Sequence, residues 1–300
     1  MYLAVTPGNS NRDFFTVRSE SKAGNSILTE PEVIAVPYDP NEKPTPGPTP
    51  VPTPVPTPVP GPGSDPDHMG KDGTAVGPGA SAAAAEKAIT SMKSDKDPKG
   101  AAFAKLRFRS PKQTKTSIKL SWAKAGKAKK YVIYGNRCGK AYRPKKLAEV
   151  TGSSKSLSRS FSKIAGKKIR KGTYYKFILV ALDGDNNVVS TSKLIHVTTK
   201  GGRYTNHKAV RIKAKVRGKY RVVKSVSIKK GRSKRIKAKG VKYAPKKRFK
   251  KHVGIRFASG RKTIATVSSK GVIKGRKKGT CYVYAYSQNG IAGRIKVVVK

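Results

Sequence analysis

The sequence predicts an all-β fold of two consecutive β-sandwiches, preceded by a proline-rich linker and one short helix. From Leu106 onward, apolar residues recur at every second position in short segments, which is typical of strands with one buried face. Turn-forming residues separate these segments. The 300 residues suffice for two ordinary domains and their connecting segments.

The first predicted module opens with SIKLSW, in which Ile118, Leu120 and Trp122 alternate with polar residues. Further strands are predicted at residues 131–135, 173–182 and 193–199. Short strands separated by turn-rich segments are typical of a β-sandwich.

A Trp on an early strand, the strand YVIY and the motif GTxYxFxxxA occur together in residues 104–199. The motif residues are Gly172, Thr173, Tyr175, Phe177 and Ala181. In these features the module resembles the fibronectin type III family, and we assign residues 104–200 to a domain of that type. The resemblance implies a seven-stranded sandwich of two sheets, with Trp122 in the core and Tyr175 at the tyrosine corner.

Residues 201–300 carry a second set of spaced motifs. They are Ala-x-Val, Gly-x-[Val/Ile]-x-Gly and Gly-Thr, formed by Ala265, Val267, Gly271, Ile273, Gly275, Gly279 and Thr280. This order resembles the bacterial immunoglobulin-like group 2 family, to which we assign residues 201–300. We expect Val267 and Val283 in the core of this module.

Residues 14–38 repeat the order of aromatic strand, polar turn and apolar strand found at residues 175–199. They resemble the final hairpin of another fibronectin type III domain. Because a lone hairpin is only marginally stable, residues 1–38 are expected to be the C-terminal remnant of such a domain. The rest of that domain, and an export signal, are then expected upstream of residue 1.

The segment between these modules is predicted to be extended. Residues 39–80 form a Pro/Gly-rich linker, with Pro at every second position over most of residues 44–62. Such a run favours polyproline II and spans about 60 Å. Strong helix formers then predict a short helix followed by a linker within residues 81–103.

The charge is concentrated in the C-terminal two thirds of the chain. Residues 1–103 hold 9 basic and 12 acidic side chains, whereas residues 104–300 hold 58 basic and 3 acidic ones. Residues 186–300 contain no Asp or Glu. An imbalance of this size predicts a polyanionic partner.

Two basic clusters are the candidate polyanion-binding residues. They are Lys246, Lys247, Arg248, Lys250 and Lys251, and Lys274, Arg276, Lys277 and Lys278. The alternative is a solvated face that protects strand edges from aggregation. Tyr282, Tyr284 and Tyr286 form a candidate stacking face for sugars or bases, or else the partly covered outer face of a sheet.

The sequence offers no catalytic, metal or cofactor site. The four histidines are scattered, and Asp183 and Asp185 fall in a predicted hairpin turn, which we favour over a calcium loop because a closing Glu is lacking. Cys138 and Cys281 have no zinc-type spacing, and a bond between them stays open. No apolar run is long enough to span a membrane.

These observations predict a non-enzymatic, extracellular cell-surface protein of structural or adhesive type. Its basic C-terminal modules would associate with an anionic cell-wall polymer or polyanionic glycan, and a host or neighbouring-cell surface ligand is a further candidate. The alternative is a set of accessory stalk modules of a large secreted enzyme whose catalytic domain lies upstream. Specific nucleic-acid binding is not expected, because no recognition motif accompanies the charge.

Overall fold

The computed structural model is almost entirely β-sheet, as predicted, and describes residues 67–300 except 95, 140–142, 154–156 and 251–253. The predictions for residues 1–38, and for the linker as far as residue 66, lie outside the described residues. All described residues belong to one compact unit.

The first sandwich packs a three-stranded sheet against a five-stranded one. The smaller sheet contains β1 (Lys112–Gln113), β2 (Ile118–Ser121) and β5 (Ser158–Phe161), in the order β1-β2-β5. The larger sheet contains β3 (Lys130–Arg137), β4 (Lys145–Thr151), β8 (Tyr174–Leu182), β9 (Val188–Thr191) and β10 (Ile195–Thr198). Its order is β10-β8-β3-β4, and β9 also pairs with β8. A separate hairpin is formed by β6 (Lys163–Ile164) and β7 (Lys167–Lys168).

The core of this sandwich is centred on Trp122, which is 2% exposed. The indole ring contacts Phe108 and Tyr131, at centroid distances of 6.4 and 5.7 Å. Tyr175 is also buried, and its hydroxyl accepts a hydrogen bond of 2.9 Å from the backbone N–H of Arg170. This bond is the signature of a tyrosine corner. The positions implied for Trp122 and Tyr175 are confirmed.

Strand β8 is buried along its whole length because both faces of its sheet are covered. One face packs into the core around Trp122. On the other face, Ile178 and Val180 pack against the predicted helix, α1 (Ala82–Thr90), through Ala85 and Ile89. Ser81 caps this helix by accepting a hydrogen bond of 3.0 Å from the N–H of Ala84.

The segment just before the helix packs onto the same outer face, although the sequence analysis placed it in the extended linker. Val76 and Ala80 are buried, and the N–H of Gly79 donates to the carbonyl of Val188 at 2.7 Å. The short helix α1 covers only part of the apolar outer face of β8, and Val76 and Ala80 pack against the same cluster. Residues 67–80 therefore belong physically to the first sandwich.

The second sandwich also contains two sheets. One holds β11 (His207–Val216), β12 (Lys219–Val222), β14 (Ser233–Lys242), β16 (Ala265–Val267) and β17 (Val272–Gly275), in the order β12-β11-β14-β17-β16. The other holds β13 (Ser225–Ile228), β15 (Arg256–Ser259), β18 (Gly279–Tyr286) and β19 (Ala292–Val299), in the order β13-β19-β18-β15. Strand β13 runs parallel to β19, and the other described pairs are antiparallel.

The second core lies between these sheets. Val283 is fully buried in it, as predicted, and Val267 is half-buried at its margin. Gly271 has a φ of +76°, and a Cβ there would lie 2.6 Å from the carbonyl oxygen of Ile236. The motif glycine is thus required both by its left-handed backbone and by the close approach of β14.

Trp122→Ala should lower the free energy of unfolding of the first sandwich by about 3–5 kcal/mol, because it empties a large core site. The unfolding of full-length variant and wild type should be followed by circular dichroism, since the variant lacks the only tryptophan. Tyr243→Ala is the control, because Tyr243 is 53% exposed. Equal stability of Trp122→Ala and wild type would show that the core is wrongly assigned.

Candidate polyanion-binding surface

The first predicted basic cluster follows the end of β14. Lys246, Lys247 and Arg248 are exposed, and Lys251 lies outside the described residues. The ammonium of Lys250 lies 5.0 Å from the centroid of the Tyr174 ring. Lys250 thus lies beside the first sandwich, where its charge adds to burial in lowering the pKa of Lys176 to about 8.

The second predicted cluster lies at the other end of β14. Lys274 is exposed on β17 and pairs with Ser233, the first residue of β14. Arg276, Lys277 and Lys278 are exposed in the turn that leads into β18. The structure therefore does not bring the two clusters together but separates them by the length of one strand.

A third group of cations, which the sequence analysis missed, lies between these clusters. We call it the basic face, and it consists of exposed side chains on β11 and β14, namely Arg211, Lys213, Lys215, Arg235, Lys237 and Lys239. They alternate along each strand with inward residues such as Ile212 and Ile236. The signal was present in VRIKAKV and SKRIKAKG, where every second residue is basic.

Like charges oppose each other directly across this face. Arg211 pairs with Lys239, and Lys213 pairs with Lys237. Directly opposed like charges destabilise an antiparallel pair. Because residues 186–300 contain no Asp or Glu, no side chain of this module can neutralise them. The burial of inward residues such as Ile212 and Ile236 in the core beneath the sheet offsets this repulsion.

Aromatic rings hold several cations of the second sandwich in place. The ammonium of Lys237 lies 4.2 Å from the centroid of the Tyr220 ring, and the guanidinium of Arg294 lies 4.7 Å from that of Tyr282. The negative face of a ring attracts a cation by about 0.5–1 kcal/mol at exposed sites. The rings thus supply part of the attraction that carboxylates supply on most protein surfaces.

The predicted stacking face is largely covered. Tyr284 and Tyr286 are only 9% and 3% exposed, because Phe103 packs over them. The Phe103 ring is stacked on Tyr286 at a centroid distance of 3.8 Å and meets Tyr284 edge-on at 6.0 Å. Only Tyr282, at 39%, is exposed. Of the two interpretations of this stripe, the covered outer face of a sheet holds for Tyr284 and Tyr286, and the Tyr282 ring alone of the three remains partly exposed.

Asp97 joins the segment that carries Phe103 to both sandwiches. Its carboxylate accepts hydrogen bonds of 2.9 and 3.1 Å from the guanidinium of Arg256, and one of 2.9 Å from the N–H of Leu194. The same guanidinium donates to the carbonyl of Leu194 at 2.9 Å and lies 4.7 Å from the ring centroid of Tyr286. This carboxylate comes from outside the carboxylate-free module and binds it to the first sandwich.

His207 lies in a second contact region of the two sandwiches. Its ring is stacked on Phe249 at 3.7 Å, and its carbonyl accepts a hydrogen bond of 2.9 Å from the side chain of Asn289. A Cβ at Gly240 would collide with the ring. The backbone carbonyl of Gln288, the residue before Asn289, accepts a hydrogen bond of 2.6 Å from the N–H of His196 in the first sandwich. Burial lowers the pKa of His207 to about 4.

The remaining candidate groups show no assembled reactive site. Cys138 and Cys281 are both free, and burial raises the pKa of each thiol. Asp183 accepts hydrogen bonds from the N–H groups of Asp185 and Asn187, which fits a hairpin turn. In the described part of the chain, no group of three or more His, Cys, Asp or Glu side chains is placed to hold a metal ion. Among the same residues, no helix is long and apolar enough to cross a membrane.

No protein-family model and no curated protein matches this sequence. Among solved structures, the C-terminal 282-residue fragment of intimin, in complex with the intimin-binding domain of its translocated receptor Tir, matches at 12% identity and a TM-score of 0.24. The match covers 64% of this chain and 62% of that fragment. The FN1–FN3 domains of chicken CNTN1 match at 10% identity and a TM-score of 0.23, over 65% of this chain and 64% of that structure.

The chain thus spans less than two thirds of each of these structures. At such TM-scores, the assignment of two consecutive sandwiches depends on the strand order and the two cores described above.

Acid should destabilise the contact region around His207. Its pKa of about 4 lies below the ordinary value near 6.5, so the stabilisation is complete above about pH 6.5 and is lost as the pH falls toward 4. We expect the free energy of unfolding to fall by roughly 1–2 kcal/mol between pH 7 and pH 5.

The measurement is denaturant unfolding of full-length protein at several pH values. His207→Gln, which is neutral throughout, should lose less stability in this range than the wild type. His68→Gln is the control, because His68 is exposed. A His207→Gln variant with the same pH dependence as wild type would contradict the assignment.

Proposed function

We propose that this chain is a non-enzymatic, extracellular structural or adhesive protein whose second sandwich binds an anionic polymer of the cell surface by charge. The observation that carries the proposal is the basic face. Its cations are exposed, oppose one another across the strands, and have no carboxylate side chain within their own module. A polyanion supplies the negative charge that this surface lacks.

The architecture fits the same proposal. Two β-sandwiches joined through Asp97 and Phe103 form one compact unit that can present one charged surface. In the described residues, the polar groups that could carry catalysis are dispersed or occupied in turns. Cell-wall polymers rich in phosphate, and polyanionic glycans, are the surface polymers of matching charge.

Binding should weaken steeply as salt rises, because each cation that contacts an anionic group of the polymer releases a counterion. If the six cations of the basic face take part, affinity should fall by about 10²–10³ between roughly 50 and 200 mM salt. The measurement is the affinity of the full chain for purified wall teichoic acid across a salt series.

A neutral wall glycan is the matched control for this experiment. It should bind at least tenfold more weakly than the anionic polymer at low salt. Equal affinity for the neutral and anionic polymers, unchanged by salt, would overturn the electrostatic account. Attention would then move to the exposed rings of Tyr243 and Tyr282.

A further inference from the structure

We propose that the described cations of the two basic clusters and of the basic face form one continuous track along β14, and that its ligand is a linear polymer with phosphodiester charges in its backbone. This inference rests on the proposed function, since it names where and what the second sandwich binds.

Strand β14 gives the track its length. It runs from Ser233, which pairs with Lys274 of the second cluster, to Lys242, which the first cluster follows. Its ten residues cover roughly 30 Å. Cations of both clusters therefore lie at the two ends of one strand.

Exposed cations fill the distance between these ends. Arg235, Lys237 and Lys239 stand at every second position of β14, with a repeat of roughly 6.6 Å. A second row on β11, with Arg211 opposite Lys239 and Lys213 opposite Lys237, lies roughly 5 Å to the side. A polymer laid between β11 and β14 thus meets cations on both sides of its path.

The chemistry of the face favours charge in a polymer backbone over the stacking of sugar rings or bases. Stacking needs an open aromatic ring, but Tyr220, beside this face, lies under the ammonium of Lys237, and the exposed ring of Tyr243 lies beyond the end of β14. Four of the six cations are lysines, which bind phosphate as flexible point charges. Such a surface attracts repeated phosphates, and its affinity does not depend on the chemical groups that link the phosphates.

The first experiment compares two charge-matched variants of the full chain. The track variant is Lys213→Gln, Arg235→Gln, Lys237→Gln and Lys239→Gln. The control variant is Lys119→Gln, Lys124→Gln, Arg159→Gln and Lys163→Gln, which changes exposed cations of the first sandwich. The probe is a synthetic abasic phosphodiester oligomer, which carries charge without rings, and thermal unfolding checks that both variants fold.

The track variant should bind the oligomer at least tenfold more weakly than wild type and lower the salt slope by about 3, since each lost contact removes about 0.7. The control variant should lose less than about threefold. Equal losses in both variants would overturn the track and the assignment of binding to the basic face, whereas salt-dependent binding by the wild type would still support a polyanion-binding function of the whole chain. Failure of the wild type to bind any polyanion would overturn both.

The second experiment tests the length and the chemistry of the ligand. Affinity per oligomer should rise with its contour length up to about 30 Å and then level off. Continued steep growth beyond that length would contradict a track limited to β14. Tighter binding of a sulfated glycan than of the phosphodiester at equal charge and length would show that the ligand class is wrong.

Discussion

The second sandwich has to be stable without a single carboxylate side chain between Asn186 and Lys300. This constraint limits how the cations of its surface can be stabilised. Cations cannot form ion pairs within the module, so several rest on aromatic rings instead, as Lys237 does on Tyr220 and Arg294 on Tyr282. The cost of like charges across β11 and β14 is offset by the apolar core on the inner side of the same strands.

The same constraint explains the junction between the sandwiches. The carboxylate that Arg256 requires comes from Asp97, in the segment before the first sandwich. That segment also carries Phe103, which covers Tyr284 and Tyr286. One short stretch of chain thus supplies both the charge and the apolar surface that the second module lacks.

Much of the fold was predictable from period-two alternation and motif glycines. SIKLSW places Trp122 in the core, and Gly271 lies where β14 approaches too closely for a side chain. A covered tyrosine face was one of the two expected outcomes, but Phe103 as the covering residue was not predictable, because it reaches the face from a distant segment and alternation describes only a residue's own strand. The packing of residues 67–80 onto the first sandwich could not be predicted for a similar reason. Their composition indicates an extended linker, whereas the apolar outer face of β8 determines where they pack.

For the candidate site, the sequence indicated the kind of partner but only part of the surface. Dense clusters such as Lys246–Arg248 were visible, whereas the basic face emerges only when β11 and β14 are placed side by side in register. The claim that the charge of the second sandwich is not neutralised is tested most directly by the melting temperature of this sandwich. Hydrogen exchange in β11 and β14 of the full chain is the readout of melting. Micromolar inorganic polyphosphate should raise the melting temperature by several degrees, because a ligand that binds only the folded state stabilises it. Sodium chloride at matched ionic strength should do much less, and equal shifts, or none with polyphosphate, would contradict the account.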